Sequence, residues 1–243
     1  MNDRTRREFL SAAGAAFVAS AASTPAMAGG DPATVTAPHA YDYTHTPAPL
    51  RFDPKTLHGL SERLIQSHWE NNYGGAVKAL NALRARLVAA SNDANTPPYV
   101  YTGFKREQLL RTSSVVLHEA YFGNLGGDGK APATLRTVIG ETFGTYDAWE
   151  SEFRKIGQGL GGGSGWVVLG WNRHLRLLEN YWMADHATGP VDTTPLLVMD
   201  MYEHAYQIDY GAAAAKYIDA FFANLQWDAV GSRHERAVKA STI

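Results

Sequence analysis

Three histidines and one aspartate, His68, His118, Asp200 and His204, are the residues whose types and placing could carry metal chemistry in this sequence. Three neutral imidazoles and one carboxylate make a hard-to-borderline nitrogen and oxygen donor set. Such a set suits iron, manganese or zinc and poorly suits copper(I). Asp200 and His204 stand four apart, so a short helical turn puts both side chains on one side. His68 and His118 fall in two separate helical patterns, so the four together would staple two parts of the chain. On spacing alone other readings stay open. His68 and His118 could be packed or solvated helix histidines, and Asp200 and His204 a helix N-cap and a surface residue. The chain has no cysteine, which excludes a disulfide framework, a thiolate metal site and a cysteine nucleophile. Any metal must therefore be held by His, Asp or Glu.

The elements that would position these residues follow from the pattern of apolar side chains. The chain has 243 residues, 45% apolar and 19% charged, enough for one or two domains with a buried core. A net charge of -2 gives no global pointer to nucleic acid or an anionic membrane. At the N-terminus Arg4, Arg6 and Arg7 precede an apolar, Ala-rich run from Phe9 to Ala26, and Ala26-Met27-Ala28 has the form of a cleavage site. Thr5-Arg6-Arg7-Glu8-Phe9-Leu10 resembles a twin-arginine signal, a general secretory signal being the alternative. Either predicts export, a periplasmic or otherwise extracytoplasmic location, and no stable membrane insertion after removal of the signal. Residues 1–28 are thus an export signal. Residues 29–49, rich in Pro, Thr, Ala and His, read as a flexible arm in which His39 and His45 are solvated loop histidines.

From Asp53-Pro54 onward, Leu57, Leu60, Leu64 and Ile65 are spaced as on a helix, with Gly74-Gly75 interrupting or bending it before a second stretch over 76–90. A turn-like segment at 91–98 leads to a helix over 104–122, so residues 50–125 read as an antiparallel helical hairpin. The Gly-rich connection 123–132 opens a mixed domain, 126–243. It contains two shorter helices within 133–156, strands at 166–169, 175–181 and 196–199, and a helix over 202–225. The fold class is α+β, with a three-stranded antiparallel sheet flanked by helices. The glycine run 159–165 could cradle phosphate, but Trp166 follows it where a phosphate loop needs Lys-Ser/Thr.

Several blocks then resemble one family. Asp200-Met201-Tyr202-Glu203-His204-Ala205-Tyr206 resembles the Asp-x-Trp-Glu-His-Ala-Tyr signature of the iron/manganese superoxide dismutases, with Tyr202 in place of Trp. Gly163-Ser164-Gly165-Trp166, the Ile139–Phe153 helix pair, His118-Glu119-Ala120-Tyr121-Phe122 and Ser67-His68 match further family blocks in the same order, over about Pro49 to Leu225. The resemblance implies one manganese or iron ion per subunit, held by His68, His118, Asp200 and His204 with a water or hydroxide. It implies conversion of superoxide to dioxygen and hydrogen peroxide. It also implies a homodimer, with a tetramer as the other option, in which Glu203 reaches the ligand His204 of the partner subunit. Trp166, Tyr202 and Tyr206 would line or support the site.

The periphery departs from the family. Its gateway His and Tyr are Asn72 and Ala76 here, its second signature Tyr is Gln207, and an Arg ten residues after the last ligand is Ala214. Asn72 and Gln207 could hydrogen-bond each other, but neither can titrate. His186 is expected to replace the outer-sphere Gln beside the metal-bound solvent, and Tyr73 to fill the vacated gateway. The iron-type Gln position is Ser114, which leans the choice slightly to manganese. These departures motivate an alternative, a dismutase-like metal-binding dimer with little or no activity. A third reading, another metal-dependent redox or hydrolytic reaction, has no nucleophile motif behind it.

Overall fold

The computed structural model describes residues 39–241. The expected export signal, 1–28, and the first part of the expected arm lie outside the described residues. Among the described residues no helix is long and apolar enough to cross a membrane.

The first long helix starts later than its apolar spacing predicts. Asp53 caps only a three-residue turn, Pro54–Thr56. Gly59 then takes φ +76°, a conformation that an L side chain rarely adopts, and this stops helix growth through Leu57 and Leu60. Ser61 restarts it: its hydroxyl accepts from Leu64 N at 3.1 Å, and Glu62 sits in the first turn. Helix α1, Glu62–Ser67, runs into one wide π turn, His68–Tyr73, and on into α2, Gly74–Asn92. The glycine pair therefore lies inside a continuous helix, and the irregularity comes just before it. A π turn stretches the local hydrogen bonding, and such turns are often found at functional sites. Here Asn71 Nδ2 donates to the Ser67 carbonyl at 3.0 Å. Helix α3, Pro98–Phe122, begins six residues before the expected start at Phe104, because Pro98 suits the first helical position. Together α2 and α3 form the hairpin.

The rest of the arm is tied to that hairpin. His45 N donates to Asn81 Oδ1 at 2.9 Å, Asn81 Nδ2 returns a bond to the His45 carbonyl at 2.9 Å, and Arg84 donates to the Tyr43 carbonyl at 2.7 Å. The His45 ring lies 2.6 Å from the Glu119 carboxylate. His45 is thus a bonded residue and not the solvated loop histidine expected.

After α3 the chain forms α4, Ala133–Phe143, and α5, Tyr146–Leu160, with Thr145 capping α5 through Ala148 N at 3.0 Å. The glycine-rich stretch is shorter than its composition implies, since Gly157 and Gly159 belong to α5. Three antiparallel strands follow: β1, Trp166–Asn172; β2, Leu177–Met183; and β3, Thr193–Asp200, in the order β2-β1-β3. Their register pairs Trp166 with Asp200, bringing a site aromatic and a site carboxylate to one end of the sheet.

The expected helix over 202–225 is broken. A 3-10 turn, Glu203–Ala205, precedes the short α6, Gln207–Tyr210. Gly211 at φ +53° ends it, and α7 spans Ala214–Ala223. A last helix, α8, Trp227–Ala240, was not anticipated, although Trp227, Val230 and Ala237 are spaced to bury one face. Trp149 and Phe153 of α5, both fully buried, pack with Phe222 and Trp227 to bind α5, α7 and α8 together. Phe153→Ala is expected to cost about 3–5 kcal/mol of stability, read from the denaturant midpoint of the purified protein. A loss below about 1 kcal/mol would show that this cluster does not hold the helices.

Candidate metal centre

Four donors from four elements of the fold meet around one carboxylate oxygen. His68 opens the π turn, His118 lies in the last turns of α3, Asp200 ends β3, and His204 sits in the 3-10 turn after it. Asp200 Oδ2 is 3.1 Å from His204 Nε2, 3.2 Å from His68 Nε2 and 3.7 Å from His118 Nε2. One ligand atom from each of the four lies within 4.8 Å of the others. Two donors each about 2.1 Å from one ion and at right angles stand roughly 3 Å apart, so the spacing fits a single first-row metal.

The buried nitrogens point the same way. His68, His118 and Asp200 are almost wholly excluded from solvent. Yet His68 Nδ1 and Nε2 and His118 Nε2 have no hydrogen-bond partner. Unpartnered buried polar atoms are costly, and bonds to a metal would satisfy those that face Asp200. The His118 tautomer is set from behind: Nδ1 donates to the Ser114 carbonyl at 2.7 Å, which leaves the Nε2 lone pair facing Asp200. Asp200 is fixed by its neighbours as well. Its Oδ1 accepts from Tyr202 N at 2.8 Å, and its carbonyl accepts from Tyr217 at 2.7 Å.

The electrostatics keep all three buried donors ready for a cation. Burial, which disfavours charged imidazole, lowers His68 below its ordinary value and takes His118 down to about 3. Burial acts on Asp200 in the opposite sense, but His204 and His68 outweigh it and hold the carboxyl well below the usual range.

An aromatic wall closes the site. Trp166 meets His118 edge-on at 5.1 Å, and Tyr202 stacks on His204 at 5.3 Å and on His186 at 5.1 Å. Tyr121 and Phe122 lie 5.1 and 4.9 Å from the His68 ring. Trp166 Nε1 donates to His186 Nδ1 at 2.9 Å, so the expected His186 does reach the edge of the cluster. Its ring centre lies 6.2 Å from that of His118. Tyr206 is buried and stacks on Tyr217 at 5.4 Å, which makes it a support behind Asp200.

Other expected residues stand elsewhere. The hydroxyl of Tyr73, expected at the gateway, donates to Glu119 at 2.8 Å and accepts from Ala48 N at 2.6 Å. It has no hydrogen bond to the four donors. Burial and Glu119 push Tyr73 up to about 12. Asn72 is half-buried and Gln207 exposed, and no hydrogen bond joins them within the chain. Glu203 is exposed, and the side chain of His204, 26% exposed, is the one donor of the four that reaches the surface.

Sequence reasoning missed Tyr217 and the Ser114 carbonyl. Tyr217 had no local signal, since its bond to Asp200 arises from the packing of α7. Ser114 could have been found, because a helical histidine commonly turns Nδ1 toward the carbonyl four residues back.

A family profile described as iron/manganese superoxide dismutases, C-terminal domain, matches residues 131–233. A superoxide dismutase of Cupriavidus metallidurans, named as an iron enzyme, is 48% identical over 191 residues, covering 79% of this chain and 96% of the relative. One from Aquifex pyrophilus, also named for iron, is 37% identical over 194 residues, covering 77% of this chain and 90% of the relative. A Haloferax volcanii enzyme named for manganese is 30% identical over 201 residues, covering 82% and 98%.

The metal-stripped protein is expected to lose stability as pH falls. Below the ordinary histidine value of 6.5 the unfolded chain binds protons that folded His68 and His118 refuse, down to about 3 for His118. The unfolded state then holds more protons, so stability declines through that window, and the depressed Asp200 adds to the loss below its ordinary 3.8. Denaturant midpoints of the stripped protein between about pH 7 and about pH 4 check this, and a flat profile would contradict it.

Proposed function

The chain belongs to the iron/manganese superoxide dismutase family, and on that premise we propose that His68, His118, Asp200 and His204 hold one iron or manganese ion per chain. The protein is a superoxide dismutase, an oxidoreductase that converts superoxide to dioxygen and hydrogen peroxide. The observation that carries the site assignment is the convergence of three imidazole Nε2 atoms on Asp200 Oδ2, with those of His68 and His118 unpartnered. When bound, the ion supplies one-electron chemistry by alternating between its trivalent and divalent states.

The chain's own residues set the conditions for that chemistry. Asp200 contributes a buried negative charge that favours the higher oxidation state. Tyr202, Trp166, Tyr121 and Phe122 exclude bulk water from the donors. His186 accepts from Trp166 through Nδ1, and burial, its largest influence, keeps the ring neutral. The proton therefore sits on Nε2, which can donate a hydrogen bond to a reacting oxygen species or to the solvent beside it. We assign His186 the outer-sphere role on this basis. Asn72 and Gln207 can orient solvent but hold no titratable proton.

Exposure of Glu203 and of part of His204 supports a homodimer in which Glu203 meets His204 of the partner subunit. Ser114, too small to reach a metal-bound solvent, leaves that place to His186 and supports a lean to manganese, whereas the relatives at 48% and 37% identity are named for iron. The leader sequence supports export of the mature chain to the periplasm, folded and with its metal in place. N-terminal sequencing of the secreted form tests this, with a start near Gly29 expected.

The alternative of a metal-binding dimer with little turnover rests on the altered residues Asn72, Ala76 and Ala214. Superoxide removal by the metal-loaded mature protein, with metal content from elemental analysis, separates the two. Activity far above the free ion is expected, and a metal-replete protein without it would favour the alternative. His186→Ala should lower turnover about 10–100-fold while metal content stays near wild type, and unchanged turnover would remove His186 from the outer-sphere role.

A further inference from the structure

Away from the metal cluster, three guanidinium groups share one cleft. Arg51 from the end of the arm and Arg233 and Arg236 from α8 line a cavity of about 470 Å³ beside the end of α3. That volume lies within the range of small-molecule sites. Arg106, Arg111, Arg136, Arg154 and Arg173 pair with carboxylates, whereas none of these three forms an ion pair among the described residues.

Arg233 is the built member of the group. Its Nη1 donates to the Leu196 carbonyl at 2.9 Å and also to Asn124 Oδ1, and its Nη2 reaches the Ala120 carbonyl at 3.4 Å. All three acceptors are neutral. Gly123 makes room for the group, since a Cβ there would lie 2.5 Å from Nη2. Burial, then Arg236 and Arg51, lower Arg233 to about 10, still protonated at neutral pH, so the fold holds the three cations against their mutual repulsion. Two carboxylates also line the cleft, and both have other work. Glu119 accepts from His45 and Tyr73. Asp228 sits in the first turn of α8, where a negative charge complements the helix end. The hydroxyl of Ser232 adds a further donor to the wall.

We propose that this cleft binds a phosphate group, inorganic or carried as a small phosphomonoester, between Arg51, Arg233 and Arg236. Guanidinium forks match phosphate oxygens two at a time, and an anion here would relieve the repulsion among three cations. Because Arg233 is bonded to α3 and β3 and Arg51 follows closely on the arm, an occupant would tie these elements together and stabilise the folded state.

The test uses the metal-loaded protein. Inorganic phosphate and glycerol 3-phosphate are titrated separately by calorimetry and by thermal midpoint, against potassium chloride of equal ionic strength. Saturable binding with a raised midpoint is expected, and the tighter of the two probes identifies the source. The double variant Arg51→Gln, Arg236→Gln, which leaves the half-buried Arg233 in place, should weaken binding at least about tenfold with superoxide removal unchanged. Two results would overturn the proposal: no midpoint shift beyond that of chloride, or equal binding by the variant, which would put the anion elsewhere.

Discussion

A fully buried carboxylate needs compensation, and the arrangement of this protein follows from how Asp200 obtains it. The residue ends the central core's last strand with no exposure to water. One oxygen is satisfied by the backbone of Tyr202, and its carbonyl is satisfied by Tyr217. The other oxygen faces three imidazoles brought from the π turn, from α3 and from the turn after β3. Without a cation the cluster holds one negative charge and several unsatisfied nitrogens. With one, the same atoms become bonded ligands, so metal binding and folding draw on the same contacts.

Around that cluster two environments meet. On one side the aromatic rings of Trp166, Tyr202, Tyr121 and Phe122 keep water out and His186 brings a nitrogen to the edge. On the other, His204 reaches the surface beside the exposed Glu203. The closed side accounts for the neutral imidazoles that a metal requires, while His204 and His68 keep the carboxylate ionised. The open side is the face that we propose a second subunit covers. The hydroxyl of Tyr73 serves the arm and Glu119 instead of the cluster, so the residues flanking the donors are structural as often as chemical.

The four donors were legible in the sequence because Asp200 and His204 stand inside a dense signature and His68 and His118 lie in clear helical patterns. The sheet and the hairpin were legible for a similar reason, since alternation and helical spacing are local. What failed was what depends on distant packing or on backbone conformation. Leu57 and Leu60 fit a helix on spacing, but Gly59 breaks it. The run from Tyr202 to Leu225 looked continuous, but Gly211 at positive φ divides it. His45 looked like a loop residue because its partner, Glu119, lies 74 residues away. Helix α8 was missed although Trp227, Val230 and Ala237 carry helical spacing, because the matched family blocks stopped before it. Tyr217 gave no signal at all, since its bond to Asp200 exists only once α7 has packed.

The central claim is that this preformed cluster, with these four side chains, holds the redox metal. Anomalous diffraction from crystals of the metal-loaded protein, collected at the iron and manganese edges, tests it most directly. The account predicts one peak per chain, bonded to Nε2 of His68, His118 and His204 and to Oδ2 of Asp200. A peak at any other position, or a bound metal from which one of these four side chains is turned away, would contradict it.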